Sequence, residues 1–206
     1  MKRPKETENA AKGELQSEKK GGCYYPVTRS GFLKDGGFGL IHVYYGQGVG
    51  KTTRAVGLAV RAAGEGLEVH FVQFMKSGKT GETLIFSRTP NIHFFCPGEH
   101  PFILSSGPQA EHLEHAARAL EHALCVADKE AHLLICDEIL DTLIFQTLQK
   151  QQLLELIEKC KGKVELVMTG RCPPLEILEQ ADYATEFVQI KHPYYKGSVA
   201  RKGIEY

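Results

Sequence analysis

Several features that would direct a chain to a membrane, to nucleic acid or out of the cell are missing from these 206 residues. No apolar run approaches the roughly 18 residues that a membrane helix needs. Residues 1–22 are polar and lack the apolar stretch of a secretory signal. Lys plus Arg number 25, and so do Asp plus Glu, so no net charge attracts nucleic acid or an anionic membrane. We therefore expect a cytoplasmic protein with no nucleic-acid or membrane partner.

The cysteines lack the spacing of a zinc site or a redox pair. None of the six forms a C-x-x-C pair, and several fall inside apolar runs. Buried free thiols in a reducing compartment explain them better than zinc or disulfides do. The six are Cys23, Cys96, Cys125, Cys136, Cys160 and Cys172.

The chain divides into a polar tail and one domain. Residues 1–38 begin with a stretch rich in Lys and Glu that can bury almost nothing, so we expect a flexible tail. Residues 39–206 form the domain. The whole chain is 42% hydrophobic, as in ordinary globular proteins. A domain of this size buries roughly 70% of its unfolded surface and needs no disulfide or structural metal.

Apolar strands alternate with amphipathic helices along the domain. This alternation predicts an α/β fold with a mostly parallel sheet flanked by helices on both faces, in three layers. Strands are predicted at residues 40–45, 69–74, 91–95, 133–136, 164–168 and 183–190. Helices are predicted at residues 51–63, 108–127, 151–160 and 173–181, with a further helical stretch after residue 138.

A glycine-rich loop joins the first predicted strand to the first predicted helix. It reads G-Q-G-V-G-K-T-T over residues 46–53. Glycines let backbone N–H groups converge on an anion, and the helix N-terminus adds the positive end of its dipole. Lys51 supplies a charge for phosphate oxygens, and the Thr52 hydroxyl can bind Mg²⁺. We predict a nucleotide, ATP above all, held by Gly46, Gln47, Gly48, Val49, Gly50, Lys51, Thr52 and Thr53.

The loop departs from the strict G-x-x-x-x-G-K-[ST] pattern at its first position, where Tyr45 stands. The alternative interpretation is a glycine-rich turn that binds no ligand. The Gly-Lys-Thr-Thr ending, placed between a strand and a helix, favours phosphate binding. With this loop, the expected fold becomes a three-layer, P-loop NTPase-like α/β fold.

Two acidic residues follow the apolar strand at 133–136. A carboxylate at the C-terminal edge of a neighbouring strand can face Mg²⁺ across from a phosphate loop. An acid at such a position is also a common helix cap. Beside a phosphate loop, Asp137 and Glu138 become candidate metal ligands together with Thr52.

Other polar residues lie where strands end, which is where ligands gather in open α/β sheets. Gln73 and Lys76 follow the second strand, and Arg171 follows the fifth. Solvated charge is the ordinary explanation for each. We include all three as candidate cofactor-binding residues.

These segments together resemble the P-loop family of ATP:corrinoid adenosyltransferases, over roughly residues 39–206. The V-Q-F-x-K box and the long C-terminal motif are more specific than the loop alone. The matching motifs are G-x-G-x-G-K-T-T at 46–53, A-x-R-A-x-G at 59–64, V-Q-F-x-K at 72–76, D-E at 137–138, T-G-R at 169–171, A-D at 181–182 and K-H-P-x-x-K-G-x-x-A-R-K-G-I-E-Y at 191–206.

The resemblance implies a reaction in which the adenosyl group of ATP moves to the cobalt of a reduced Co(I) corrinoid and triphosphate is released. Catalytic roles then fall on Lys51, Thr52 and Glu138, and Mg²⁺ (or Mn²⁺) binds Thr52 and Glu138 with Asp137 in support. The resemblance also implies a homodimer and a flavoprotein reductase that supplies the electron.

Some positions differ from the family pattern. Many relatives have Thr before the first glycine and Lys within the loop, where this chain has Tyr45 and Val49. Some carry a Phe and Trp pair in the corrinoid-facing region, which corresponds here to residues 98–102 and contains His100 and Phe102. The chain has no Trp at all. Another P-loop ATPase or kinase, and a non-catalytic nucleotide or corrinoid carrier, remain the alternative functions.

Overall fold

The computed structural model describes residues 37–129 and 131–205. The predicted tail, residues 1–38, falls almost wholly outside them. The strands are β1 (Ile41–Tyr45), β2 (Val69–Gln73), β3 (Ile92–Phe95), β4 (Leu133–Asp137), β5 (Glu165–Gly170) and β6 (Tyr183–Glu186). The helices are α1 (Lys51–Gly64), α2 (Gly81–Phe86), α3 (Ala110–Ala127), α4 (Asp141–Ile144), α5 (Lys150–Cys160) and α6 (Leu175–Gln180), followed by a 3₁₀ turn at Pro193–Lys196.

The six strands form one sheet in the order β3-β2-β4-β5-β1-β6. Every neighbouring pair is parallel. The α/β prediction is therefore confirmed, and the sheet is wholly parallel rather than mostly so. Because parallel strands end at the same edge, the loops after β1, β2, β4 and β5 meet there. That edge carries the phosphate loop.

Helices cover both faces of the sheet, because the inner strands β2, β4 and β5 carry buried apolar residues on both faces. One face packs against α3 and α5 through residues such as Val43, Leu134 and Met168. The other packs against α1 and α2 through residues such as Phe71, Ile135 and Val167. Among the helices of the described residues, none has the length and the apolar character to cross a bilayer.

The prediction for the last strand was wrong in length. It placed a strand at residues 183–190, but β6 ends at Glu186. β6 is an edge strand that pairs only with β1, and β1 ends at Tyr45 opposite Glu186. The next residue, Phe187, turns its carbonyl toward the phosphate loop instead of continuing the ladder.

Short elements account for the other differences. α2 has six residues and the 3₁₀ turn has four, too few for a hydrophobic period to be visible, and neither was predicted. The helical stretch expected after Glu138 is a single turn, α4. α3 begins at Ala110, two residues later than predicted, with Gln109 at its N-cap.

The cysteine prediction was right for some residues and wrong for others. Cys136 and Cys160 are buried free thiols. Cys96 is half-buried, whereas Cys125 and Cys172 are exposed. An apolar neighbourhood in sequence does not guarantee burial, because Cys125 lies on the outer face of α3. Cys23 lies outside the described residues.

Candidate functional site

The phosphate loop turns sharply out of β1 and into α1. Gly46 and Gly50 both have φ near +110°, a conformation that side chains other than hydrogen disfavour. Gly46 N–H donates to the carbonyl of Arg171 at 3.0 Å, which ties the start of the loop to the end of β5. The loop therefore needs glycine at these points for its path and not only for contact with a ligand.

Phe187 holds the loop from the β6 side. Its N–H donates to the carbonyl of Tyr45, and its carbonyl accepts from the N–H of Gly48, both at 2.7 Å. A Cβ at Gly46 or Gly48 would lie 2.5 or 2.7 Å from that carbonyl oxygen, closer than such atoms approach. Two of the loop glycines are thus required by the proximity of the Phe187 backbone.

Hydrogen-bond donors converge at the N-terminus of α1. Among the described residues, the backbone N–H groups of residues 49–53 have no partner within the protein, so they are available to an anion. The Lys51 ammonium donates to the carbonyls of Gly46 and Gly48 at 2.7 and 2.8 Å. Burial lowers the pKa of Lys51, and the nearby carboxylates of Asp141 and Glu138 oppose that shift. The loop thus places a cation and a helix N-terminus at one point.

Asp137 is the centre of the polar cluster beside the loop. Its carboxylate is fully buried and accepts from the hydroxyls of Thr52 at 2.9 Å and Thr169 at 2.8 Å. The Lys76 ammonium donates to its other oxygen at 2.6 Å. Asp137 therefore links the ends of β2, β4 and β5 to the first turn of α1.

Glu138 lies next to this cluster in an unusual backbone conformation. Its φ is +63°, in the left-handed region, and its N–H donates to the Thr169 hydroxyl at 2.8 Å. Burial raises the pKa of Glu138 to about 7, although the Lys76 ammonium at 3.5 Å opposes the shift. Its side chain remains 32% exposed, so it faces the cavity while Asp137 lies beneath it.

A cavity of about 720 Å³ opens beside this cluster. Thr52, Thr53, Lys76 and Glu138 line one part of it, and residues 77 and 79–82 line another. Gly203, Ile204 and Glu205, from the end of the chain, complete the lining. The cavity has room for a polyphosphate and part of a nucleoside, because ligand pockets commonly measure roughly 300–1,000 Å³.

The remaining predicted residues lie around this centre. Gln73 is fully buried opposite Asp137 in the sheet register, and its amide donates to Glu82 at 3.3 Å. Its Oε1 is buried without a hydrogen-bond partner. Arg171 lies behind the loop, where its Nε is 3.2 Å from an oxygen of Asp141. Gln47 contacts Cys172, and Val49 is 71% exposed at the tip of the loop.

Comparison with known proteins identifies the family. The family model described as ATP:corrinoid adenosyltransferase BtuR/CobO/CobP matches residues 37–206. The chain belongs to this adenosyltransferase family. A curated corrinoid adenosyltransferase from Pseudomonas aeruginosa is 31% identical over 170 residues, which is 82% of this chain and 84% of that protein. One from Escherichia coli K12 is 29% identical over 171 residues, 82% of this chain and 86% of the relative.

A third relative supports the same assignment. The corrinoid adenosyltransferase of a Sinorhizobium species is 31% identical over 173 residues, with 82% of this chain and 80% of the relative covered. The resemblance read from the motifs is therefore confirmed. A family of transferases also makes the chain an enzyme of this class.

The adenosyltransferase carries a loop between β3 and α3 that the motif comparison placed toward the corrinoid. The His100 ring packs inward, with its centroid 5.1 Å from that of His112 and 4.8 Å from that of His115. Burial, reinforced by those two histidines, lowers the pKa of His100 to about 4. Phe102 is 93% exposed. In this loop, the Phe102 side chain is therefore exposed to solvent, whereas the His100 ring is partly buried.

Several site residues were missed by reasoning from the sequence. Phe187 and Thr169 act through hydrogen bonds from remote segments, and Asp141 holds Arg171 from α4. Only T-G-R at 169–171 gave a sequence signal, and it was assigned to Arg171 alone. Nothing local to residues 203–205 indicated that the chain returns to the cavity.

Proposed function

We propose that this protein transfers the 5′-deoxyadenosyl group of ATP to the cobalt of a reduced corrinoid and releases triphosphate. The Co(I) electron pair attacks the ribose 5′ carbon, a Co–C bond forms, and the C5′–O bond breaks with its electrons going to triphosphate. The observation that carries the proposal is the meeting of the phosphate loop with Thr52, Asp137 and Glu138 at one sheet edge, in a member of this family. Positioning and charge stabilisation suffice for such a step.

ATP binding is assigned to the loop and the start of α1. The N–H groups of residues 49–53 and the positive end of the helix dipole face an anion at this point. Lys51 would exchange its two carbonyl partners for phosphate oxygens. As the leaving group departs, these donors stabilise the charge that accumulates on triphosphate.

A divalent ion, Mg²⁺ or Mn²⁺, fits the oxygens beside the loop. Thr52, Asp137 and Glu138 offer the hard donors that such ions prefer. Within residues 37–129 and 131–205, no group of three or more His, Cys, Asp or Glu side chains could hold a metal ion unaided. Substrate phosphate and water must therefore complete its coordination, as is usual for Mg²⁺. When bound, the ion would neutralise phosphate charge.

The corrinoid is assigned to the open side of the cavity and the β3–α3 loop. Phe102 supplies an exposed aromatic surface there, in the absence of any Trp in the sequence. Planar apolar rings pack well on such a side chain. A flavoprotein reductase is proposed as the source of the electron that produces Co(I). We also propose a cytoplasmic location for the protein.

A homodimer is proposed as the working assembly. Apolar side chains between 64% and 83% exposed follow β6, and grouped exposed apolar residues often mark an interface. These are Val188, Ile190, Val199 and Ile204. They lie on the same C-terminal segment that lines the cavity, so dimerisation would also affect the site.

An anaerobic absorbance assay tests the proposal. Protein, MgATP and chemically reduced cob(I)alamin should give the spectrum of an adenosylated corrinoid, and omission of ATP or of reductant should abolish the change. Orthophosphate release without corrinoid would instead support an ATPase or kinase. Bound ATP with no spectral change would support a carrier, the alternative whose only support is the family departures at Tyr45 and Val49.

A further inference from the structure

The Lys76 ammonium occupies the point where the candidate metal ligands converge. Its Nζ lies 2.6 Å from Asp137 Oδ2, 3.3 Å from Thr52 Oγ1 and 3.5 Å from Glu138 Oε1. Two carboxylates and one hydroxyl thus surround a single positive charge. These are the same three side chains whose oxygens suit a divalent cation.

The backbone around Lys76 directs its side chain to this point. Met75, the preceding residue, has φ of +53°, a left-handed conformation that costs free energy in residues other than glycine. The Lys76 carbonyl accepts from His115 Nε2 at 3.0 Å and from Cys96 Sγ at 3.2 Å. Lys76 is therefore anchored by its main chain while its ammonium reaches the acidic cluster.

The Lys76 ammonium repels a second cation from this point. The Lys76 ammonium is paired with the carboxylates of Asp137 at 2.6 Å and Glu138 at 3.5 Å, so a positive charge already lies among the three oxygens. A divalent ion at the same three oxygens would lie within a few ångströms of that ammonium, and like charges at such distances repel strongly. The ammonium must move before the ion can bind.

A polyphosphate in the cavity can provide new hydrogen-bond partners for the Lys76 ammonium. Lys76 lines the 720 Å³ cavity together with Thr52, Thr53 and Glu138. A triphosphate in that cavity gives the ammonium new anionic oxygens, and charge-assisted hydrogen bonds to phosphate are strong. The same phosphates also supply the ligands that the divalent ion lacks in the free protein.

We propose that the Lys76 ammonium holds the cation position of the nucleotide-free protein and releases it only when nucleotide phosphate enters. Binding of ATP then increases the affinity for the divalent metal, and Lys76 determines the size of that increase. This inference rests on the phosphate and metal site of the proposed function, but not on transfer to a corrinoid. A purely structural role, in which Lys76 only neutralises buried Asp137, predicts no gain in metal binding when the lysine is removed.

The test measures Mn²⁺ binding by electron paramagnetic resonance, with and without ATP and always without corrinoid. In Lys76→Met, Mn²⁺ should bind without ATP about tenfold more tightly than in the wild type, a change within the usual range of coupling between sites. ATP should then improve Mn²⁺ binding less in the variant than in the wild type. Lys76→Arg keeps the charge and should match the wild type.

Lys159→Met provides the matched control. It removes the same charge from a lysine paired with Asp128, at the opposite edge of the sheet, and should leave Mn²⁺ binding unchanged. Mn²⁺ binding without ATP that is no tighter in Lys76→Met than in the wild type would overturn the inference. If Lys76→Met and Lys76→Gln melt at a lower temperature than the wild type in metal-free buffer, Mn²⁺ alone should raise that melting temperature. No rise would equally overturn it.

The two proposals fail in different ways. A wild-type protein that binds no Mn²⁺ even with ATP would contradict the metal site of the proposed function. A wild-type protein that binds Mn²⁺ with ATP, beside variants that behave like it, would contradict only the role of Lys76.

Discussion

Lys51 is the single residue on which phosphate binding most depends. Its ammonium makes two hydrogen bonds to loop carbonyls in the free protein, which holds it ready beside the N–H groups of the helix start. Lys51→Ala should weaken ATP binding about 100-fold, the effect of losing two charged hydrogen bonds of roughly 1.5 kcal/mol each. Isothermal titration calorimetry measures this. Lys159→Ala, far from the loop, should bind ATP normally, and near-normal binding by Lys51→Ala would remove the loop from the site.

Glu138 and Asp137 have different surroundings at the proposed metal site. Asp137 is buried and bonded to Thr52, while Glu138 faces the cavity. Glu138→Gln should raise the Mg²⁺ concentration needed for half-maximal activity by at least roughly tenfold. Mutating residues that only hydrogen-bond to metal ligands already weakens metal binding by about that factor. A Mg²⁺ titration of the transferase reaction measures it. An unchanged titration in Glu138→Gln, with a shifted one in Asp137→Asn, would assign the ion to Asp137.

At the scale of elements, we expect the side of the sheet formed by β2 and β3 to be sensitive to acid. The His70 ring stacks on that of His93 and lies near that of His122 on α3. Burial, reinforced by the neighbouring histidines, lowers the pKa of His70 to about 4. Its Nδ1 is buried without a partner. The folded protein therefore resists protonating this ring, whereas the unfolded chain protonates it near pH 6.5.

The contribution of His70 to the free energy of unfolding should therefore be fully present above pH 6.5. It should fall as the pH drops from 6.5 to 4, because the unfolded state then binds one more proton than the folded state. For His70 alone we expect a loss of about 1 kcal/mol at pH 5, after discounting for partial exposure. Urea unfolding at pH 7 and pH 5 measures it. His70→Phe should lose less stability on acidification than the wild type. His192→Phe, at the N-cap of the 3₁₀ turn, should behave like the wild type. Equal losses in all three proteins would contradict the prediction.

The elements near the loop show how far local sequence could predict the site. The strand, glycine loop and helix at 41–64 follow from residues that are neighbours in sequence, so their pattern was readable. Phe187 and Thr169 hold the loop and Asp137 through contacts across more than 30 residues. No local pattern says which remote segment will meet a loop, so these residues could be found only in the fold.

At the scale of the whole molecule, the C-terminal segment connects the site to the proposed assembly. Gly203, Ile204 and Glu205 line the cavity, and exposed apolar residues of the same segment include Ile190 and Val199. We predict a dimer by light scattering after size-exclusion chromatography. Ile190→Asp combined with Val199→Asp should shift it toward monomer, because charge in an apolar interface is costly. Val60→Asp, on exposed α1 surface, is the control. A wild-type monomer at assay concentration would contradict the dimer.

The family motifs predicted more about the function than the composition did. Balanced charge and ordinary hydrophobicity excluded broad classes of partner but named no reaction. The phosphate loop predicted nucleotide binding, and the long C-terminal motif indicated the family to which the chain belongs. The reason that this motif matters became visible only when the fold brought its last residues to the cavity.

The most direct measurement of the central claim follows two labels in ATP, one in the adenosine and one in the γ-phosphate, during a single anaerobic turnover with cob(I)alamin. The adenosyl-transfer account predicts that the adenosine label enters the corrinoid and the γ label is recovered in intact triphosphate, in equal amounts. A γ label recovered as orthophosphate, with the adenosine label remaining in ADP, would contradict it.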